Sequence, residues 1–234
     1  MIRLETLEQT HDFEFPELFK KLFEAEMTNW MRGFDAPLAK DKTWAEDVYP
    51  SLKENPPLLL HSGGFDFELM TPQEMQDFSF PETWDTEGHH FVPFAKTAEG
   101  NIYAFYPTET EDNEIPIVLI WQDDESEYVA KNFEDFIFRM MLEVSHDIDK
   151  DDLHADYGKE NPMEAFRSDL LSDLKSITPY LKAAYVTALQ KVYQGEIRNG
   201  LISYTLESER PLKEMIAEYL DFPQRGKCFE HEED

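Results

Sequence analysis

The stretch Ile115-Pro116-Ile117-Val118-Leu119-Ile120-Trp121 carries no polar side chain. Side chains on a strand alternate between two faces, so a run that is apolar throughout reads as a strand covered on both. It is too short to span a bilayer, which takes about 20 apolar residues as a helix. Two other strand-like runs precede it: Phe91-Val92-Pro93-Phe94-Ala95, and Ile102 to Tyr106 after a turn at Glu99-Gly100-Asn101. Their spacing suits an antiparallel meander.

Helical periodicity brackets this region. Leu18, Phe19, Leu22, Phe23 and Met27 predict an amphipathic helix from Pro16 to Met31. Prolines 37, 50, 56 and 57 then break regular structure until Leu58-Leu59-Leu60, which reads as a buried strand. Ser62-Gly63-Gly64 reads as a hairpin turn leading to a second strand, in which Phe65, Phe67 and Leu69 alternate with Asp66, Glu68 and Met70. Thr71-Pro72-Gln73-Glu74 has a capping residue, a proline at the first helical position and an acid in the first turn, so a short helix starts there. Asn132 caps a helix to about Glu143, with Phe133, Phe136, Ile137, Met140 and Met141 on the face that covers the sheet. Further helices are expected from Asn161-Pro162, from Thr178-Pro179 and between Ser208 and Leu220.

Charge narrows the function. The 234 residues hold 50 acids against 21 Lys and Arg, a net charge of -29. Such an excess repels phosphate backbones and anionic membranes, which argues against direct nucleic-acid or membrane binding. Between Lys53 and Lys131 the only Lys or Arg is Lys96, while carboxylates recur from Glu54 to Glu127, so this stretch presents a negative face. A basic protein is the partner that suits it, and simple solvation is the alternative reading. The 18 Phe, 10 Tyr and 4 Trp supply enough apolar surface to offset chain entropy. A single cysteine, Cys228, excludes an internal disulfide and a thiolate metal site, and with an acidic N-terminus it fits a cytoplasmic protein.

Candidate chemistry is sparse. His61-Ser62-Gly63-Gly64 lacks the Gly-x-Ser-x-Gly arrangement of a nucleophile elbow. His89-His90 are adjacent, so on an extended segment they point apart and do not make a metal site by themselves. Asp147-x-Asp149-x-Asp151 opens like a calcium loop, but Asp152 stands where glycine is required and Gly158 where the bidentate acid belongs, so it reads as an acidic linker. Phosphate-binding loops, dinucleotide fingerprints and Cys-x-x-Cys pairs are absent from the sequence. Neither cofactor nor catalytic residue is expected. The aromatic residues Phe91, Phe94, Tyr103, Phe105, Tyr106 and Trp121 read as core, whereas Trp84, between Pro81 and Gly88, reads as exposed.

From Leu60 to Leu142 the order of segments resembles the SUKH superfamily, whose bacterial members include immunity proteins of polymorphic toxin systems and whose fungal members act in cell-wall signalling. The resemblance rests on Gly63-Gly64 before Phe65-Asp66-Phe67, on Thr71-Pro72-Gln73-Glu74-Met75, and on Phe91-Val92-Pro93-Phe94-Ala95. It continues through Glu99-Gly100-Asn101-Ile102-Tyr103, Pro116-Ile117-Val118 and Asn132-Phe133-Glu134-Asp135-Phe136. It implies an α+β fold with a mostly antiparallel sheet flanked by helices, here a domain over residues 1–150, followed by a helical extension over 151–234 with a short acidic tail from Cys228. It further implies a non-catalytic role in neutralising a toxin domain.

A secreted nuclease toxin needs a basic surface to hold phosphates, and an acidic inhibitor masks it. The residues expected to meet such a partner are Trp84, Glu109, Glu111, Asp112, Asp123, Asp124, Glu125 and Glu127. The alternative from another class is a regulatory scaffold or adaptor that has no toxin partner and docks through the C-terminal helices.

Overall fold

The computed structural model describes residues 2–35, 37–64, 66–81, 88–121, 126–158, 160–207 and 210–229. In chain order its helices are α1 Leu4–His11, α2 Glu17–Glu24, α3 Tyr49–Leu52, α4 Pro72–Asp77, α5 Phe133–Glu143, α6 Lys150–Tyr157, α7 Pro162–Ile177, α8 Ala183–Tyr193 and α9 Leu212–Tyr219. Its strands are β1 Phe67–Leu69, β2 Val92–Thr97, β3 Ile102–Phe105, β4 Ile117–Ile120, β5 Ser126–Ala130, β6 Ile148–Asp149, β7 Glu196–Asn199, β8 Ser203–Glu207 and β9 Cys228–Phe229. The fold is α+β. Among the described residues no helix is long and apolar enough to cross a membrane.

The chain forms two compact units, each assembled from separate segments: Met1–Asn29, Asp66–Phe136 and Phe222–Asp234 in the first, Trp30–Phe65 and Ile137–Asp221 in the second. The first holds an antiparallel sheet in the order β1-β2-β3-β4-β5-β9. Register explains why β4 has no polar residue. Ile117 and Leu119 stand opposite Phe105 and Tyr103, while Val118 and Ile120 stand opposite Ala104 and Ile102. The Phe105 side is closed by Phe133 and Phe136 of α5 and by Phe13, Phe15 and Phe19, with Phe94 between them at ring distances of 4.9 to 5.5 Å from Phe105, Phe133 and Phe136. On the Ala104 side Phe91 and Tyr106 complete a second buried cluster. Both faces of β4 are therefore dry, as its composition requires.

Local caps form where the sequence places them. Thr71 Oγ1 accepts from the Glu74 N–H at 3.2 Å while Glu74 Oε2 accepts from the Thr71 N–H at 2.8 Å, a reciprocal capping box at the start of α4. Asn132 Oδ1 accepts from the Asp135 N–H at 2.8 Å and opens α5. The turn at Gly100 joins β2 to β3 with Gly100 at φ 92°, a conformation that glycine adopts without strain.

Several expectations are corrected. Leu58-Leu59-Leu60 is a buried turn rather than a strand, because Leu59 takes a left-handed φ of 57° and Gly63 N–H closes back on the Leu59 carbonyl. No hairpin forms around Gly63-Gly64, since β1 pairs with β2. The helix from Pro16 ends at Glu24, because Glu26 adopts a left-handed φ of 56°. The helix expected from Thr178 starts at Ala183. Strand β5 had no clear signal, because Ser126 and Glu127 break its apolar pattern.

The second unit is built on the apolar stripes of α7 and α8. Met163, Phe166, Leu170, Leu174 and Ile177 are buried along α7, and Tyr185, Ala188, Leu189, Val192 and Tyr193 along α8. Phe138 stacks on Tyr185 at 4.0 Å. A smaller cluster of Val48, Leu52 and Leu60 is covered by Trp30, Met31, Phe34, Leu38, Trp44 and Tyr49. The segment after residue 150 is not wholly helical: β7 and β8 form a hairpin and, with β6, a three-stranded antiparallel sheet in the order β6-β8-β7. Cys228 and Phe229, read as the start of a fraying tail, form β9 in the first unit and pair with Glu127 and Ser126.

Candidate partner-binding surface

The first unit displays half-buried aromatics on one face of its sheet. Phe78, Phe80, Tyr128 and Phe229 lie over the buried Phe91 and Tyr106. Phe229 stacks against Tyr106 at 5.6 Å and meets Tyr128 at 5.1 Å, so β9 supplies a side chain that the sheet face would otherwise lack. His89 stacks on Phe91 at 5.5 Å, and its Nδ1 hydrogen-bonds the Tyr106 hydroxyl. Burial pushes the Tyr106 phenol up to about 12, with the charges of Tyr128 and Glu109 adding to the shift. Tyr128 is raised by burial and then by Glu109. Both phenols thus stay neutral to a higher pH than a free tyrosine.

Glu109 ends a 3-10 turn, Pro107–Glu109, that leaves β3. Beyond it the Glu111 and Glu114 backbones exchange hydrogen bonds at 3.1 and 2.8 Å around Asp112 and Asn113, whose φ values are 50° and 64°. That is the left-handed two-residue turn for which Asp and Asn are suited. Glu109, Glu111 and Asp112 are all exposed, so three of the predicted carboxylates share one tight excursion between β3 and β4. Glu127 does not join them. It sits in β5 next to Tyr128, and successive strand residues face opposite ways, so it occupies the face opposite the aromatic patch. Trp84, Asp123, Asp124 and Glu125 lie outside the described residues.

Lys96, the lone Lys or Arg between Lys53 and Lys131, is held at 2.7 Å by Glu74 and at 3.6 Å by Glu68. Its charge is thereby spent on two of the acids of that stretch.

A family model for the SMI1 / KNR4 family (SUKH-1) matches residues 3–139, more than half of the chain. The protein belongs to this family. No curated protein and no solved structure matches it. The SUKH-1 match ends within α5, so α6 to α9 and the β6-β8-β7 sheet lie beyond it.

Other sequence features take structural places in this SUKH-1 protein. Asp149 Oδ1 accepts from the Asp151 and Asp152 N–H groups at 2.7 and 3.2 Å, capping α6, and Asp147 accepts the Ser203 hydroxyl at 2.7 Å. His90 Nε2 meets the His11 carbonyl at 2.8 Å. Among the described residues no cluster of three or more His, Cys, Asp or Glu is placed to hold a metal ion.

In the second unit, sequence reasoning missed a buried polar cluster. Asp173 Oδ2 accepts from the His61 N–H, the Ser62 N–H and the Ser62 hydroxyl at 2.9, 2.9 and 2.7 Å. Burial outweighs these donors and raises the carboxyl to about 7. Burial also lowers the His61 imidazole, whose Nδ1 lies 3.7 Å from Asp169. Ser62 is fully buried with its proton directed to Asp173, which makes it an anchor and not a nucleophile. The available signal was an acid at position 173, in register with Phe166, Leu170 and Ile177 on the apolar stripe of α7.

Proposed function

We propose that this SUKH-1 protein is a non-catalytic inhibitor that binds a basic protein, a nuclease-like toxin domain, through the acidic turn at Glu109 to Asp112 and the aromatic patch beside it. The observation that carries the proposal is that the Glu109 N–H donates to the Tyr106 carbonyl at 3.2 Å, which keeps the acidic turn beside the aromatic patch, where the Glu109 charge acts on the Tyr106 and Tyr128 phenols. Half-buried aromatics bordered by carboxylates supply both parts of a binding site for a cationic surface. The aromatics give area at low entropic cost, and the acids steer association and select the partner's charge. The neutralisation of Lys96 by Glu68 and Glu74 adds to the reading, since it removes the one Lys or Arg charge of that stretch.

The test titrates the purified chain against a basic nuclease-toxin domain, the first candidate being any secreted toxin found encoded next to it. Changing Glu109, Glu111 and Asp112 to Lys should slow its association with the purified chain by about tenfold or more at low salt and flatten the salt dependence. Glu109 and Glu111 are exposed, so their changes should each leave stability within about 0.5 kcal/mol of wild type, while Lys at position 112, where φ is 50°, should add a cost of about 1 kcal/mol. An unchanged association rate would remove this turn from the interface.

A regulatory scaffold is the second reading. It draws on the segments beyond residue 139, where the family match ends. Partner binding that survives the triple charge reversal but is lost on truncation after Lys159 would favour it.

A further inference from the structure

Strand β9 is attached to its sheet differently from the other strands. Each of β1 to β5 contributes at least two buried residues, and β9 contributes none. In residues 222–229, which carry β9, Phe222, Gln224, Arg225 and Phe229 are half-buried and the rest are exposed. Backbone pairing and two rings hold the segment. The Tyr128 N–H donates to the Lys227 carbonyl at 3.1 Å and the Gly226 N–H to the Tyr128 carbonyl at 2.8 Å, while Phe222 and Phe229 meet the Tyr128 ring at 6.2 and 5.1 Å. A peptide added to a sheet edge is bound in the same way: main-chain bonds give affinity and alternate side chains give specificity.

Composition points the same way. Residues 222–229 read Phe-Pro-Gln-Arg-Gly-Lys-Cys-Phe, with two cations and no acid. They belong to the first unit, whose stretch from Asp66 to Glu127 has Lys96 as its only Lys or Arg. A basic segment bounded by aromatics is thus seated on the acidic unit, at the edge of β5. One position is poorly matched. Cys228 stands opposite Glu127, where a cation would pair with the carboxylate across the ladder.

We propose that the edge of β5 is the binding site for an extended basic segment of the partner protein, and that β9 is a strap that fills this site until the partner's segment replaces it. The proposal rests on the reading of the protein as an acidic inhibitor. The incoming segment pairs with β5 and lays an aromatic side chain against Tyr106 and Tyr128, where Phe229 now lies at 5.6 and 5.1 Å. It also sets Lys or Arg opposite Glu127, a gain that Cys228 does not offer β9. Glu127, on the face away from the aromatic patch, enters the site through the sheet edge.

The probe is a labelled peptide of residues 222–229 carrying Cys228→Arg, added to the full chain, in which β9 competes at an effective concentration on the order of 1 mM. Phe229→Ala in the chain weakens the strap, so that variant should bind the peptide at least about fivefold more tightly than wild type. The peptide with Cys228→Ser should bind about two- to fivefold more weakly than the Arg form. A second variant, Glu127→Cys, locks the strap. The Tyr128 bonds make Glu127 and Cys228 the next, non-hydrogen-bonded pair, whose Cα separation of about 4.5 Å suits a disulfide. The oxidised monomer of this variant should bind the peptide and a basic nuclease-toxin domain at least about tenfold more weakly than its reduced form. Equal peptide binding by the two forms, or none by the Phe229→Ala chain, would overturn the inference. A toxin domain that binds both forms equally would overturn it too and leave the inhibitor reading intact. A toxin domain that binds neither form, with the peptide behaving as expected, would overturn the inhibitor reading and leave the β5 edge a site for a basic strand.

Discussion

Asp173 Oδ2 accepts the Ser62 hydroxyl at 2.7 Å across 111 residues of chain, and the same oxygen takes the backbone N–H groups of His61 and Ser62. One carboxylate of α7 thus fixes the buried turn that follows Leu58-Leu59-Leu60. Truncating it strands three buried donors. Asp173→Ala should therefore destabilise the protein by about 2–4 kcal/mol, whereas Ser62→Ala, which removes one donor, should cost about 1 kcal/mol. Urea denaturation measures both, and equal losses would mean that the hydroxyl carries the whole interaction.

The same residue gives stability a pH dependence. Asp173 titrates near 7 in the folded protein against 3.8 for an unperturbed aspartate, so between those values the folded state holds the extra proton. Its contribution is complete below about 3.8 and is lost as pH rises through about 7. His61 works in the opposite sense. Its lowered value makes its contribution complete above 6.5 and lost as pH falls through the folded value. Asp169 and Lys53 act on His61, and Asp169 also on Asp173, while Tyr49, Tyr157 and Tyr193 border the two aspartates. From about pH 5 to about pH 8 the wild type should lose stability relative to Asp173→Asn, which cannot ionise. A constant difference would show that Asp173 is ionised throughout.

Phe229 makes the C-terminal segment part of the first unit's packing. It contacts Phe91, Tyr106 and Tyr128, so Phe229→Ala should cost about 1–2 kcal/mol. A thermal melt of that variant against wild type decides whether β9 is a structural strand, and an unaltered midpoint would restore the reading of a dispensable tail.

Tyr193 is fully buried, and its hydroxyl donates to the Met141 carbonyl in the last turn of α5 at 2.6 Å. Carbonyls in a final helical turn lack a partner within the helix. Tyr193→Phe should therefore lower stability by about 1–3 kcal/mol without changing the apolar packing of α8. Hydrogen exchange at the C-terminal end of α5 should speed up with it.

Short-range patterns were legible. The unbroken apolar run Ile117 to Ile120, the Thr71 capping box and the Asn132 cap depend on period and on side chains three residues apart, and these survive any tertiary context that buries them. The exposure of Glu109, Glu111 and Asp112 was legible for the same reason, since carboxylates in a turn between strands stay in water. Glu127 was misgrouped with them, because whether a residue after β4 belongs to a loop or to β5 depends on a partner strand.

What only the tertiary structure decided is which distant groups meet. Leu58-Leu59-Leu60 has the composition of a strand, yet it turns, because Asp173 supplies the hydrogen bonds for the residues that follow and no strand is needed to satisfy them. Phe229 looked like part of a polar tail until β5 offered it an edge. Tyr128 carried no local sign of its role, and the position of Asp173 on the apolar stripe of α7 pointed to burial without showing which groups it meets. Composition and periodicity report what a residue prefers within a few neighbours, and a buried hydrogen bond or a strand edge is completed by a residue far along the chain, 111 positions away for Ser62 and Asp173.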